Sequence, residues 1–81
     1  MTKKNNLDNF ILKNSKKVFK NIIFFLEKNN TTQQELAGKI GAMPSTICRS
    51  LKNLEKGKPV STETLFKICY GLDLEIIELF K

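Results

Sequence analysis

Histidine and tryptophan are absent from this sequence of 81 residues, which has only two cysteines, two prolines and four glycines. Without histidine, and with Cys48 and Cys69 too far apart for a C-x-x-C pair, no zinc-ligand set can be assembled. There is no carboxylate pair in an evident pocket and no glycine-rich phosphate loop, so neither an enzyme nor a bound cofactor is expected. The apolar run IIFF is far too short to span a membrane. The basic start MTKKNN leads into no apolar stretch long enough for a secretory leader, and two thiols then point to a reducing, cytoplasmic compartment. Few glycines and prolines also mean no linker, so the chain reads as one ordered domain with a thin core.

Acidic residues are scarce at one end and basic ones at the other. Residues 1–30 hold seven lysines against Asp8 and Glu27. Residues 49–60 hold Arg49, Lys52, Lys56 and Lys58 against Glu55 alone. From residue 61 onward the balance reverses, with Lys67 and Lys81 against Glu63, Asp73, Glu75 and Glu78. The net charge of +6 is therefore uneven, as suits one face for a polyanion and another turned from it. A lysine-rich solvated surface would give the same balance.

The apolar spacing predicts an all-helical chain. Val18, Ile22 and Phe25 mark a first helix over 16–28, and Phe19, Ile23 and Leu26 form a second apolar stripe on it. Phe10, Ile11 and Leu12 are expected to fold back over that second stripe. Alternatively, the stripe pairs two subunits. Residues 1–14 form an arm or extension, mobile at its start, and 15–81 the domain proper.

Thr32 and Glu35 make a T-x-x-E capping box ahead of a second helix over 33–40, which Gly41 stops. Pro44 opens a third helix, to about residue 53, because its fixed φ and missing N–H suit the first helical position. Ser61 to Thr64 read as a second capping box, opening a fourth helix that ends at Gly71. Asp73 is expected to cap a fifth, LEIIELF.

Helices two and three are thus joined by about three residues, as in a helix-turn-helix. Leu36 and Ile40 face the core, Ala37 lets the two helices cross closely, Ala42 plugs the turn, and Gly41 supplies a positive φ. At 100° per residue, Ile47, Leu51 and Leu54 fall on one side of helix three. Ser45, Arg49, Lys52, Asn53 and Lys56 fall on the other, without an acid or a bulky apolar group. Guanidinium, ammonium, amide and hydroxyl groups are those that meet base edges and phosphates.

On Gln33, Leu36, Ala37, Ile40, Gly41, Ile47 and Arg49, continued by Leu65, Ile68, Gly71, Leu72 and Leu74, residues 16–80 resemble the Cro/repressor-type (XRE-like) helix-turn-helix proteins of phage and bacteria. The resemblance implies a compact five-helix, lambda-repressor-like bundle. It implies a transcription regulator that binds double-stranded operator DNA as a homodimer, with helix three in the major groove. Carried onto this chain, it gives base contacts from Ser45, Thr46 and Arg49. It gives phosphate contacts from Gln33, Lys52, Asn53, Lys56 and Lys58, and arm contacts from Lys3 and Lys4.

Two positions depart from the family pattern. Ser50 stands where a core residue is usual, and Leu51 is expected to cover the gap. Met43-Pro44 replaces a polar cap and a base-reading side chain. Those departures, with the surplus apolar residues of the first helix, keep a second function open: an antitoxin or interaction module that holds a toxin or other protein partner. Cys48 and Cys69 are expected to be packing residues. The subunit-pairing surface is either the first helix with its extension or Ile76, Leu79 and Phe80.

Overall fold

The computed structural model describes the backbone of residues 3–81 and the side chains of residues 6–81. The contacts expected of Lys3 and Lys4 lie outside the described side chains; of the arm's first residues, expected to be mobile, 3–6 are helical and 1–2 lie outside the described residues. Four α-helices follow in order: α1 (Lys3–Lys28), α2 (Gln33–Ile40), α3 (Pro44–Glu55) and α4 (Thr62–Leu72). The expected fifth helix is instead a 3₁₀ helix, Ile76–Phe80. The fold is all-α, with no strand among the described residues.

The first helix departs most from expectation. Residues 7–14 do not fold back over α1; they extend it. At 1.5 Å per residue its 26 residues span about 39 Å, close to the full 44 Å length of the molecule. Its buried face is Ser15, Val18, Ile22 and Leu26, with Phe25, Phe19 and Ile23 half-buried beside it. Leu26 thus takes the inward place expected of Phe25. Phe10, Ile11 and Leu12 remain 66%, 36% and 43% exposed.

α1 packs against α3 and the 3₁₀ helix, while α2 packs against α3 and α4. Ile22, Leu36, Ile47, Leu54, Ile68 and Leu79 are the large, fully buried side chains where these layers meet. Leu51 is buried and Ser50 half-buried, so Leu51 does fill the position the sequence left open. Two asparagines on α1 reach the far end of the chain: Asn21 Nδ2 donates to the Leu79 carbonyl at 2.8 Å, and Asn29 Nδ2 to that of Leu72 at 3.3 Å.

All four α-helices stop in the same way. Asn30, Gly41, Gly57 and Asp73 have φ of 52°, 70°, 87° and 59°, the left-handed region. At each stop the next residue's N–H returns to a carbonyl five positions back: Thr31 to Leu26, Ala42 to Ala37, Lys58 to Asn53 and Leu74 to Cys69, at 2.8–2.9 Å. This is the Schellman closure, which satisfies carbonyls a helix end leaves free.

Gly71 does not end α4; it lies buried inside it, where a Cβ would collide with the Leu36 side chain and come within 2.9 Å of Ile40 Cγ2. Asp73 ends α4 rather than starting the next element, whose N-cap is Glu75.

At the start of α2 the expected capping box is complete. The Glu35 N–H donates to Thr32 Oγ1 at 3.0 Å, and the Thr32 N–H donates to Glu35 Oε1 at 2.9 Å. Those hydrogen bonds, the backbone one foremost, hold the Glu35 carboxyl below its ordinary range. A depressed carboxylate stabilises the fold above its unfolded pKa, and that contribution disappears as pH falls through the lower folded value. Thr32→Ala should cost about 1 kcal/mol at neutral pH. It should also make thermal stability less sensitive to pH across the acid range, as melts from neutral to acid pH will show. At α4, Ser61 accepts from the Thr64 N–H, but no return bond to the cap backbone forms, so only half of a box is present.

Candidate nucleic-acid interface

The helix-turn-helix is built from α2, a three-residue turn and α3. Ala37 is fully buried where the two helices cross, and Gly41 at φ 70° turns the chain within the space allowed. α3 then starts without a side-chain cap: Met43 is extended, makes no capping hydrogen bond, and is followed by Pro44 in the first helical turn. The inner face of α3 is Ile47, Leu51 and Leu54, each 2% exposed.

The outer face holds the expected contact residues. Ser45, Arg49, Lys52, Asn53 and Lys56 line one shallow depression along α3, with half-buried Cys48 beside them. Thr46 is exposed on the first turn of the same helix. Lys58 is exposed just past Gly57, at the other end. Gln33 is exposed at the start of α2 and borders a separate hollow with Ile23, Asn30 and Thr31. Five of the eight expected DNA contacts outside the arm therefore share one surface, while Gln33 lies on a hollow that holds no residue of α3.

The electrostatics of this surface are one-sided. The described ion pairs are Lys67–Glu63 at 3.2 Å and Lys81–Glu78 at 3.8 Å. Among the described residues, Arg49, Lys52, Lys56 and Lys58 make no ion pair, so their charges face water. Glu35 is the opposing group: its ionised carboxylate occupies the first turn of α2 beside Gln33. An anion at Gln33 would thus be held by the side-chain amide more than by the helix dipole, which Glu35 offsets locally.

The sequence marks Met43 only as a departure from the family pattern. It is 68% exposed directly ahead of the α3 first turn, where an apolar side chain could meet a thymine methyl. Its signal in the sequence was an apolar residue where a cap should be. Cys48 and Cys69 are free thiols, the second buried. Burial first, and the Glu75 carboxylate second, push the Cys69 thiol up and keep it neutral.

Two short helices crossing at a small residue through a tight three-residue turn, with the second helix displaying a polar face, define a helix-turn-helix protein. The chain is similar in structure to the clp gene regulator ClgR from C. glutamicum, whose crystal structure it matches with a TM-score of 0.64. The two are 25% identical, and the match covers 82% of each chain. No family model and no curated protein sequence matches the chain. No helix among the described residues is long and apolar enough to cross a membrane.

Proposed function

We propose that the chain is a sequence-specific, double-stranded DNA-binding transcription regulator of the Cro/repressor (XRE-like) kind. It acts as a homodimer on an inverted repeat, with α3 in the major groove. The observation that carries this reading is the unpaired polar and cationic outer face of α3, set on a helix-turn-helix. The structural likeness to a gene regulator supports it.

In this reading Ser45, Thr46 and Arg49 reach base edges, with Met43 as a further apolar contact. Gln33, Lys52, Asn53, Lys56 and Lys58 hold phosphates. Such contacts divide the work: phosphate groups set register and supply affinity, while base edges supply selectivity. A reducing, cytoplasmic location fits the same role.

A gel shift of the purified chain on DNA from upstream of its own gene, followed by footprinting, tests this. Two protected half-sites about 34 Å apart are expected. If Lys52, Lys56 and Lys58 of both protomers neutralise phosphates, log K against log salt should fall with a slope of about −5. Equal affinity for any duplex, or a single unpaired half-site, rejects the reading.

A second reading, an antitoxin or other interaction module, is favoured by Phe66 and Tyr70, 55% and 78% exposed on α4. Co-purification of a stoichiometric partner, with no duplex binding, would select it.

A further inference from the structure

The part of α1 that outruns the bundle carries apolar side chains that the fold itself does not cover. Leu7, Phe10 and Ile11 are 57%, 66% and 36% exposed. Leu7 and Ile11 continue the face that, from Ser15 onward, is buried against the body, and Phe10 flanks it. Phe10 and Ile11 border one depression with Leu65 and Phe80, so the patch runs without a break from α1 onto the 3₁₀ helix. There Ile77 and Phe80, three residues apart and eclipsed on a 3₁₀ helix, are 60% and 48% exposed.

We infer that this patch is the homodimer interface, and that its occupant is the same patch of a second copy. The inference rests on the dimeric reading given above and adds to it where the two copies meet.

Area supports a copy of the chain. At roughly 200 Å² for each large apolar side chain fully exposed, the five fractions amount to about 500 Å² per protomer. A standard interface buries about 800 Å² per partner, of which about 65% is apolar in homodimers, or about 520 Å². The patch thus has the apolar area that half of a stable dimer requires. On a lone chain it would rank with the largest exposed patches of monomers.

Charge also favours a copy over an unrelated partner. On α1, Lys13 and Lys17 follow Phe10 at helical spacing and are exposed. On the other side of the patch, Glu75 caps the 3₁₀ helix, while Glu78 pairs with Lys81 of its own chain at 3.8 Å. A two-fold axis that lays the 3₁₀ helix of one protomer over the partner's α1 sets the Glu75 carboxylate against ammonium groups twice. Such a surface is complementary to itself, as an isologous interface must be.

Position fits the reading of DNA. Leu54 and Pro59 also border the depression, and Leu12 packs on Gly57, whose added Cβ would lie 2.7 Å from Leu12 Cγ. The dyad therefore lies near the C-terminal ends of both α3 helices. None of Ser45, Arg49, Lys52 or Lys56 belongs to the patch, so pairing leaves the outer faces of α3 open.

Sedimentation equilibrium of the full chain, over concentrations up to roughly 200 µM, tests the assignment, since a dimer's population follows protomer concentration. The wild-type chain should be dimeric. Phe10→Glu and Leu7→Glu should each raise the dimer dissociation constant by at least about tenfold, the loss expected at an interface centre. Both side chains lie outside the core, so far-UV circular dichroism should stay unchanged. Phe66→Glu, on a different surface, should leave the constant within about twofold. A wild-type chain that stays monomeric throughout overturns the proposal. A dimer indifferent to both α1 variants overturns it too, yet leaves the dimeric regulator standing. A dimer that dissociates as expected but binds no duplex upholds the interface and rejects the regulator.

Discussion

Leu36→Ala should lower the melting temperature by roughly 20 °C, the largest stability effect expected of any single truncation on α2. Leu36 has no exposed surface and lies where α2 meets α4. Removing a fully buried leucine costs about 3–4 kcal/mol, from lost transfer energy and the cavity left behind. A domain of this size has about 4–12 kcal/mol in all, so the variant should be partly unfolded when warmed modestly. Tyr70→Ala, at a position 78% exposed, should stay within about 0.5 kcal/mol of the wild type. Thermal melts by circular dichroism decide it; a shift of under about 5 °C for Leu36→Ala contradicts the account of the core.

The same site offers a coupling test. Gly71→Ala pushes a methyl into the Leu36 side chain and should cost about 1–3 kcal/mol by overpacking. With Leu36 already truncated, that methyl enters the vacated space. The double variant should be milder than the sum of the two single ones, since residues in contact do not add.

Arg49→Ala should have the largest effect on DNA selection. Arg49 is exposed on the outer face of α3, pairs with no described carboxylate, and shares its depression with Ser45 and Lys52. A guanidinium there can offer two parallel donors to one guanine, worth about 1–3 kcal/mol of discrimination. The preference for operator over scrambled duplex should fall by that amount, while affinity for scrambled DNA changes less. Lys52→Ala should behave differently. It should weaken all duplexes alike and flatten the salt slope by about two units for a dimer. Competition binding on both duplexes separates the roles; an undiminished operator preference in Arg49→Ala removes Arg49 from base reading.

The helix-turn-helix was legible because its signals are local. Thr32 and Glu35 close their own box, Gly41 supplies the positive φ, and Pro44 opens α3, all within a few residues. The outer face of α3 was legible because the absence of acids there needs no tertiary information. α1 was misread at its start. Residues 7–14 were expected to fold back over the helix, and Asp8 and Asn9 among them are poor helix formers. Yet adding turns to an existing helix needs no new nucleus, so the strong segment after residue 15 carries them.

Leu26 and Phe25 could not be ranked by spacing, since i+3 and i+4 from Ile22 lie on one face. Gly71 and Asp73 exchanged roles for a similar reason. A glycine suits a helix stop and equally a close crossing, and an aspartate suits an N-cap and equally a left-handed residue. Only the position of Leu36 in space decides between them. Met43 precedes α3, so no helical projection of α3 could show its exposure.

The four identical helix stops also bear on the speed at which this chain folds. Each is closed by hydrogen bonds within six residues, so the ends of α1 to α4 can form on the timescale of local helix motion. The turn from α2 to α3 requires no distant partner. The packing of α1 on α3, of α2 on α4 and of residues 76–80 on α1 joins distant segments, the last sealed by the Asn21 bond to Leu79 across 58 positions. Closing so long a loop costs entropy that grows only as the logarithm of its length. An all-helical chain with helix ends this local is expected to fold fast, and a refolding trace with a single exponential will check it.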